Sequence, residues 1–143
     1  MKKEVLAIVE RGKGKRNFSC FATESIGNYG LAGYGATARE AMEDMKAAVR
    51  ECQEMAAENG DVFPDIEFHF RFDIGAFFDY YPLDVTAAAK YIGINASVLR
   101  QYVTSIREPK QTQIDKIRDG VARLANDLGS GLMISQPVVS YIK

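Results

Sequence analysis

The chain has no apolar run near the roughly 18 residues that a membrane span needs, and it does not open on a signal peptide. Both absences point to a cytoplasmic protein with no membrane partner. Cysteine is scarce. Cys20 and Cys52 are the only two, and they lack the spacing of a metal site. They read as buried free thiols, Cys20 in a strand-like pattern and Cys52 in a helix-like one. His69 is the only histidine. It stands on a polar face with no Ser, Cys or Asp constellation around it, so it reads as a surface residue. A phosphate loop is missing too. Gly12-Lys13-Gly14 lacks the Gly-Lys-Ser/Thr ending and joins strand to strand. Several converging carboxylates would be needed for two-metal hydrolysis. Glu4, Glu10, Glu24, Asp65, Glu67 and Asp73 instead fall mostly at strand ends, where solvation explains them. The chain is therefore expected to be no enzyme, with no cofactor and no metal.

A global basic field is also lacking, since the net charge is −1. The charge is unevenly placed, however. Residues 1–82 carry 10 Lys/Arg against 14 Asp/Glu, a net of −4, and residues 83–143 carry 8 against 5, a net of +3. What is present is ordinary globular material: 143 residues, 47% apolar and 26% charged. That length suits one domain with a good core or two small ones.

The first part reads as a layered α+β unit. Val5–Glu10 and Asn17–Thr23 form a hairpin around the turn Arg11-Gly12-Lys13-Gly14-Lys15, and Leu31–Tyr34 is a third strand. Thr37 opens a long helix. Thr37 and Glu40 have the spacing of a capping box, in which each satisfies the other's backbone N–H. Met42, Met45, Val49, Cys52 and Ala56 make its apolar stripe, and Gly60 stops it. Ile66-Glu67-Phe68-His69-Phe70-Arg71-Phe72 alternates strictly, with one face for the helix and one for water.

The second part reads as helical. Ile74–Tyr80 is a short aromatic helix ended by Pro82. Leu83 to Ser105 then has the form of a helix-turn-helix. Asp84 caps the first helix, Ala88, Ala89 and Ile92 share its inner face, and Gly93 ends it in the left-handed region. Asn95 caps the second helix, whose inner face holds Leu99 and Tyr102. Ala96, Ser97, Arg100, Gln101 and Thr104 are then expected to point outward. Arg and Gln suit guanine and adenine edges in a major groove, and Ser or Thr suits bases or phosphates. Asn95 at the start of the helix and Lys110 beyond it complete the expected DNA-binding set. An ordinary helical hairpin or a plain solvated face would share much of this pattern. No acidic residue lies between Asn95 and Arg107, which favours DNA. Ile114, Ile117, Val121, Leu124 and Leu128 form a closing helix stopped by Gly129. Leu132–Ile134 and Val138–Ile142 make an apolar, strand-prone tail.

This order of parts resembles the HicB family of antitoxins from type II toxin–antitoxin systems. The likeness rests on Gly33-Tyr34-Gly35-Ala36-Thr37-Ala38-Arg39-Glu40-Ala41 and on the helix-turn-helix from Leu83 to Thr104. Phe77-Phe78-Asp79-Tyr80-Tyr81 ahead of the motif looks like a Bacteroides-type branch of such proteins. The resemblance implies a degenerate ribonuclease-H-like β-β-β-α-β domain without that enzyme's activity. It also implies binding to a small HicA-type RNase toxin and autoregulation of the operon. The expected fold class is thus α+β at the front and all-α behind. The expected units are a HicB-like domain at 1–72, a helix-turn-helix domain at 73–130 and a tail at 131–143. Double-stranded operator DNA is the expected partner. The expected assembly is a homodimer or a dimer of dimers, because helix-turn-helix modules read two-fold sites. A stand-alone transcriptional regulator, whose first domain senses a ligand or drives oligomerisation, is the alternative.

Overall fold

The strands and helices follow from the alternation and the caps. The computed structural model describes residues 2–11 and 17–131. Strands β1 (Lys2–Glu10), β2 (Phe18–Ala22), β3 (Ala32–Gly35) and β4 (Asp65–Phe72) form one mixed sheet in the order β3-β2-β1-β4. Neighbours β1–β2 and β2–β3 are antiparallel, and β1–β4 is parallel. Helix α1 (Ala38–Glu58) makes the crossover from β3 to β4. The chain is α+β, as expected. The turn at 12–16 and the tail strands expected over Leu132–Ile134 and Val138–Ile142 lie outside the described residues.

The period-two pattern sets the buried face. Val5, Ala7 and Val9 are buried on β1, in line with Phe18 and Cys20 of β2. Ala38, Ala41, Met42, Met45 and Val49 of α1 close the core above them. The α1 cap differs in one detail from the expected box. The Glu40 N–H donates to Thr37 Oγ1 at 3.1 Å, but the Glu40 carboxylate accepts from the Ala36 N–H at 2.9 Å, one residue earlier than Thr37. Both cysteines are free thiols. Cys20 is fully buried, and burial pushes its thiol up to about 11. Cys52 is half-buried, and its thiol is raised by burial and by Glu51.

Helix α1 lies mainly over β3 and β2. The inner side chains of β4, Ile66, Phe68, Phe70 and Phe72, are consequently only half-buried. The expectation that this face would cover the long helix is met in part. The polar face, Glu67, His69 and Arg71, is exposed as expected.

Helix α2 (Ile74–Tyr80) joins the sheet to the helices behind it. Asp73 caps it, accepting from the Ala76 N–H at 2.8 Å and from the Arg11 N–H at 3.1 Å. Asp79 accepts from the Ala38 N–H at 2.8 Å, so α2 supplies a partner for the free N-terminal amide of α1. Arg39 lies over the Tyr80 ring, and Phe72 stacks on Tyr80. Ala76 enters the sheet core while Phe78 enters the helical core, so α2 feeds both.

Helices α3 (Val85–Ile92), α4 (Ala96–Val103) and α5 (Gln111–Ser130) complete the chain. Their core is Ala88, Ala89, Ile92, Leu99, Tyr102 and Ile117, with Phe78 from α2. Gly120 lets α5 close on α3, because a Cβ there would stand 2.6 Å from Ile92 Cγ1. Gly129 does not stop α5, which continues to Ser130. Leu128 is 66% exposed, so the expected apolar stripe ends before it and the last turns of α5 extend beyond the helical core. Among the described residues no helix is long and apolar enough to cross a membrane.

Candidate nucleic-acid interface

Three side-chain and backbone caps shape the turn between α3 and α4. Asp84 Oδ2 accepts from the Ala87 N–H at 2.8 Å and starts α3. Gly93, at φ 88 and ψ 36, ends it in the left-handed region. The Gly93 and Ile94 N–H groups both return to the Ala89 carbonyl. Asn95 Oδ1 then accepts from the Val98 N–H at 3.2 Å and starts α4. The end of α4 is a Schellman turn built on serine. Ser105 has φ 61, its N–H bonds the Tyr102 carbonyl, and the Ile106 N–H bonds the Gln101 carbonyl.

Leu99 and Tyr102 are buried, at 0% and 6% exposure, and this sets which side of α4 faces water. Ser97, Arg100 and Thr104 are exposed on that side, and Gln101 is half-buried on its flank. Ala96 departs from expectation. It lies a quarter turn from the outward direction and packs half-buried against the helical core. Thr104 is the C-cap residue rather than part of the helix. Its hydroxyl donates to the Arg100 carbonyl at 2.8 Å, so its one O–H is engaged.

Arg100 does not stand free. Its guanidinium donates to Thr86 Oγ1 at the start of α3. The contact brings the first turn of α3 beside the middle of α4. Thr86 thereby joins the outward surface, and sequence reasoning missed it. The pairing is between helices, so no spacing within α4 could reveal it.

Asn95 and Lys110 both line a hollow of about 470 Å³ between the starts of α4 and α5. Arg107 and Lys116 line it as well. Those two cations are the other residues that sequence reasoning missed. Their signal was the excess of Lys and Arg after residue 83. Lys110 sits at the N-cap of α5 with no side-chain cap bond, and the Gln113 and Ile114 N–H groups both return to its carbonyl. Glu108 is the one carboxylate lining the hollow. The seven predicted DNA-binding residues thus fall into two groups. Ser97, Arg100, Gln101 and Thr104 lie along the outer side of α4, and Asn95 and Lys110 line the hollow at its start. Ala96 belongs to neither.

Among the described residues no three His, Cys, Asp or Glu side chains are placed to hold a metal ion. His69 lies 3.5 Å from Glu4 on the exposed sheet face. Tyr91 donates to Asp127 across α3 and α5, and that bond raises its pKa. No protein-family model, no curated protein and no solved structure matches this chain.

Proposed function

We propose that the chain is a DNA-binding antitoxin and repressor of the HicB kind, acting in the cytoplasm. In this reading α4 enters the major groove of an operator, and the front unit is a degenerate ribonuclease-H-like module that neutralises a small HicA-type RNase. The observation that carries the DNA half is the capped α3–turn–α4 unit, with an outer α4 side that holds Ser97, Arg100 and Gln101 and no carboxylate. Arg100 leaves Thr86 to bond a guanine edge, and Thr86 then faces a phosphate. Lys110 and Arg107, beside the start of α5, meet the backbone on the flank. The toxin half draws on the order of strands and helix and on the acidic balance of residues 1–82, which suits a basic RNase.

Two experiments test the halves separately. A duplex taken from upstream of the protein's own gene is expected to bind at micromolar concentration or below. The product of an adjacent small gene is expected to co-purify with the chain. DNA binding without such a partner would favour the stand-alone regulator. Toxin binding without DNA binding would remove the helix-turn-helix reading.

The flank makes its own prediction. Lys110→Ala should weaken binding to all duplexes alike and reduce the slope of log affinity against log salt by about 1. A salt titration on two unrelated duplexes measures this. A loss confined to one sequence would mean that Lys110 reads bases.

A further inference from the structure

Strand β4 is the last strand of the sheet on its side, and its outer edge is unpaired among the described residues. The Asp73 N–H, next in line after the strand, bonds the Val9 carbonyl of β1. Alternation then turns the odd residues of β4 toward β1 and the N–H and C=O groups of Ile66, Phe68 and Phe70 toward the open edge. Among the described residues, the one side-chain bond on that edge runs from the Arg71 guanidinium to the Phe70 carbonyl, at 3.1 Å. The edge has no proline and no bulge in its eight residues, two of the features that discourage pairing, so Arg71 on the Phe70 carbonyl is the contact a second copy must displace. Beside it, Ile66, Phe68 and Phe70 line an open groove of about 410 Å³ against Val49, Lys46 and Arg50 of α1.

The charge pattern of the same strand selects the occupant. Its exposed face reads Asp65, Glu67, His69, Arg71, acidic at the start and cationic at the end. A strand of this kind is self-complementary when two copies run antiparallel. We infer that two copies of this chain join through their β4 edges, antiparallel about a two-fold axis at His69, into one continuous eight-stranded sheet. Glu67 then faces Arg71 of the second copy, twice over. On the inner face Phe68 faces Phe70 of the second copy, and Ile66 faces Phe72, which covers the groove that α1 leaves open. A parallel pairing in register would instead set Glu67 beside Glu67 and Arg71 beside Arg71 of the second copy. The inference stands on the sheet alone and holds whether or not the protein binds DNA.

Sedimentation of the full chain tests it with three variants at exposed positions. The wild-type chain is expected to be a dimer or a multiple of one at micromolar concentration. Glu67→Arg and Arg71→Glu each replace two opposite-charge pairs by like-charge pairs, and should each raise the dissociation constant of this contact about tenfold or more. The double swap Glu67→Arg with Arg71→Glu should return it to within about threefold of wild type. A wild-type monomer at tens of micromolar concentration, on the order where such a contact should form, would overturn the inference. So would an assembly indifferent to both single swaps, or a double swap no better than either one. Amide exchange on the same samples gives a second reading. Slow exchange at Phe68 and Phe70 in a monomer would place another segment on the edge and would also overturn it.

Discussion

Gly33→Ala is expected to unfold the sheet unit. Strand β3 runs directly beneath α1, and a Cβ at Gly33 would stand 2.3 Å from the Met45 nitrogen and 2.4 Å from the Ala41 carbonyl oxygen. Both are backbone atoms inside a 21-residue helix, so no side-chain rotation relieves the overlap. The helix would have to lift, which opens the contact between Met45 and Cys20, both fully buried. The loss should exceed about 3 kcal/mol, a large share of the 5–15 kcal/mol typical of a domain. Gly30→Ala is the matched control, because nothing lies within 4 Å of a Cβ there. Its stability should stay within about 1 kcal/mol of wild type. Urea unfolding of both variants measures the difference, and a Gly33→Ala midpoint equal to that of Gly30→Ala would contradict the packing described.

Leu99→Ala is expected to empty the centre of the helical unit. Leu99 is the most deeply buried side chain there, at 0% exposure. It shares a cluster with Ala89, Ile92, Tyr102 and Phe78. Truncation of a buried leucine costs about 2–5 kcal/mol, set by how far the site can collapse. The sheet core and the helical core are separate clusters joined by α2, so the loss should fall first on α3, α4 and α5. Hydrogen exchange should accelerate in α3, α4 and α5 while β1 and β2 keep their protection. Under the proposed function, DNA binding should fall with it, although Leu99 lies in the helical core. Uniform acceleration across both units would mean that the two cores unfold as one.

Which of these features the sequence makes legible depends on how local their cause is. The Asp84 and Asn95 caps were visible because each bonds an amide three residues on, whereas the Asp73 cap of the same form is first seen in the structure. Helix α2 spans the expected Ile74–Tyr80 because Asp73 and Pro82 bracket an aromatic run. The alternation of β4 was equally plain, but its place was not. Parallel pairing of β4 with β1 across more than 50 intervening residues leaves no local mark, nor does the offset of α1 toward β2 and β3. The site divides in the same way. Burial of Leu99 and Tyr102 followed from helical spacing, and exposure of Ser97 and Arg100 followed from that. The turn of Ala96 into the core, the Arg100–Thr86 bond and the hollow that joins Asn95 to Lys110 all arise between elements. The overrun of α5 past Gly129 has a different cause. Glycine costs only about 1 kcal/mol inside a helix, so it ends one only when the flanking residues agree.

The most direct test of the central claim is a selection from random duplexes, run in parallel on the wild-type chain and on Arg100→Ala. Wild type should enrich a two-fold repeat whose half-sites lie about one helical turn, roughly 10 base pairs, apart. Arg100→Ala should fold normally and lose on the order of 1–3 kcal/mol for that repeat, with its preference flattened at the guanine proposed to meet Arg100. Enrichment of the same sequence to the same depth by both proteins would show that α4 does not read the groove through Arg100, and failure of wild type to enrich any sequence would remove the DNA-binding assignment itself.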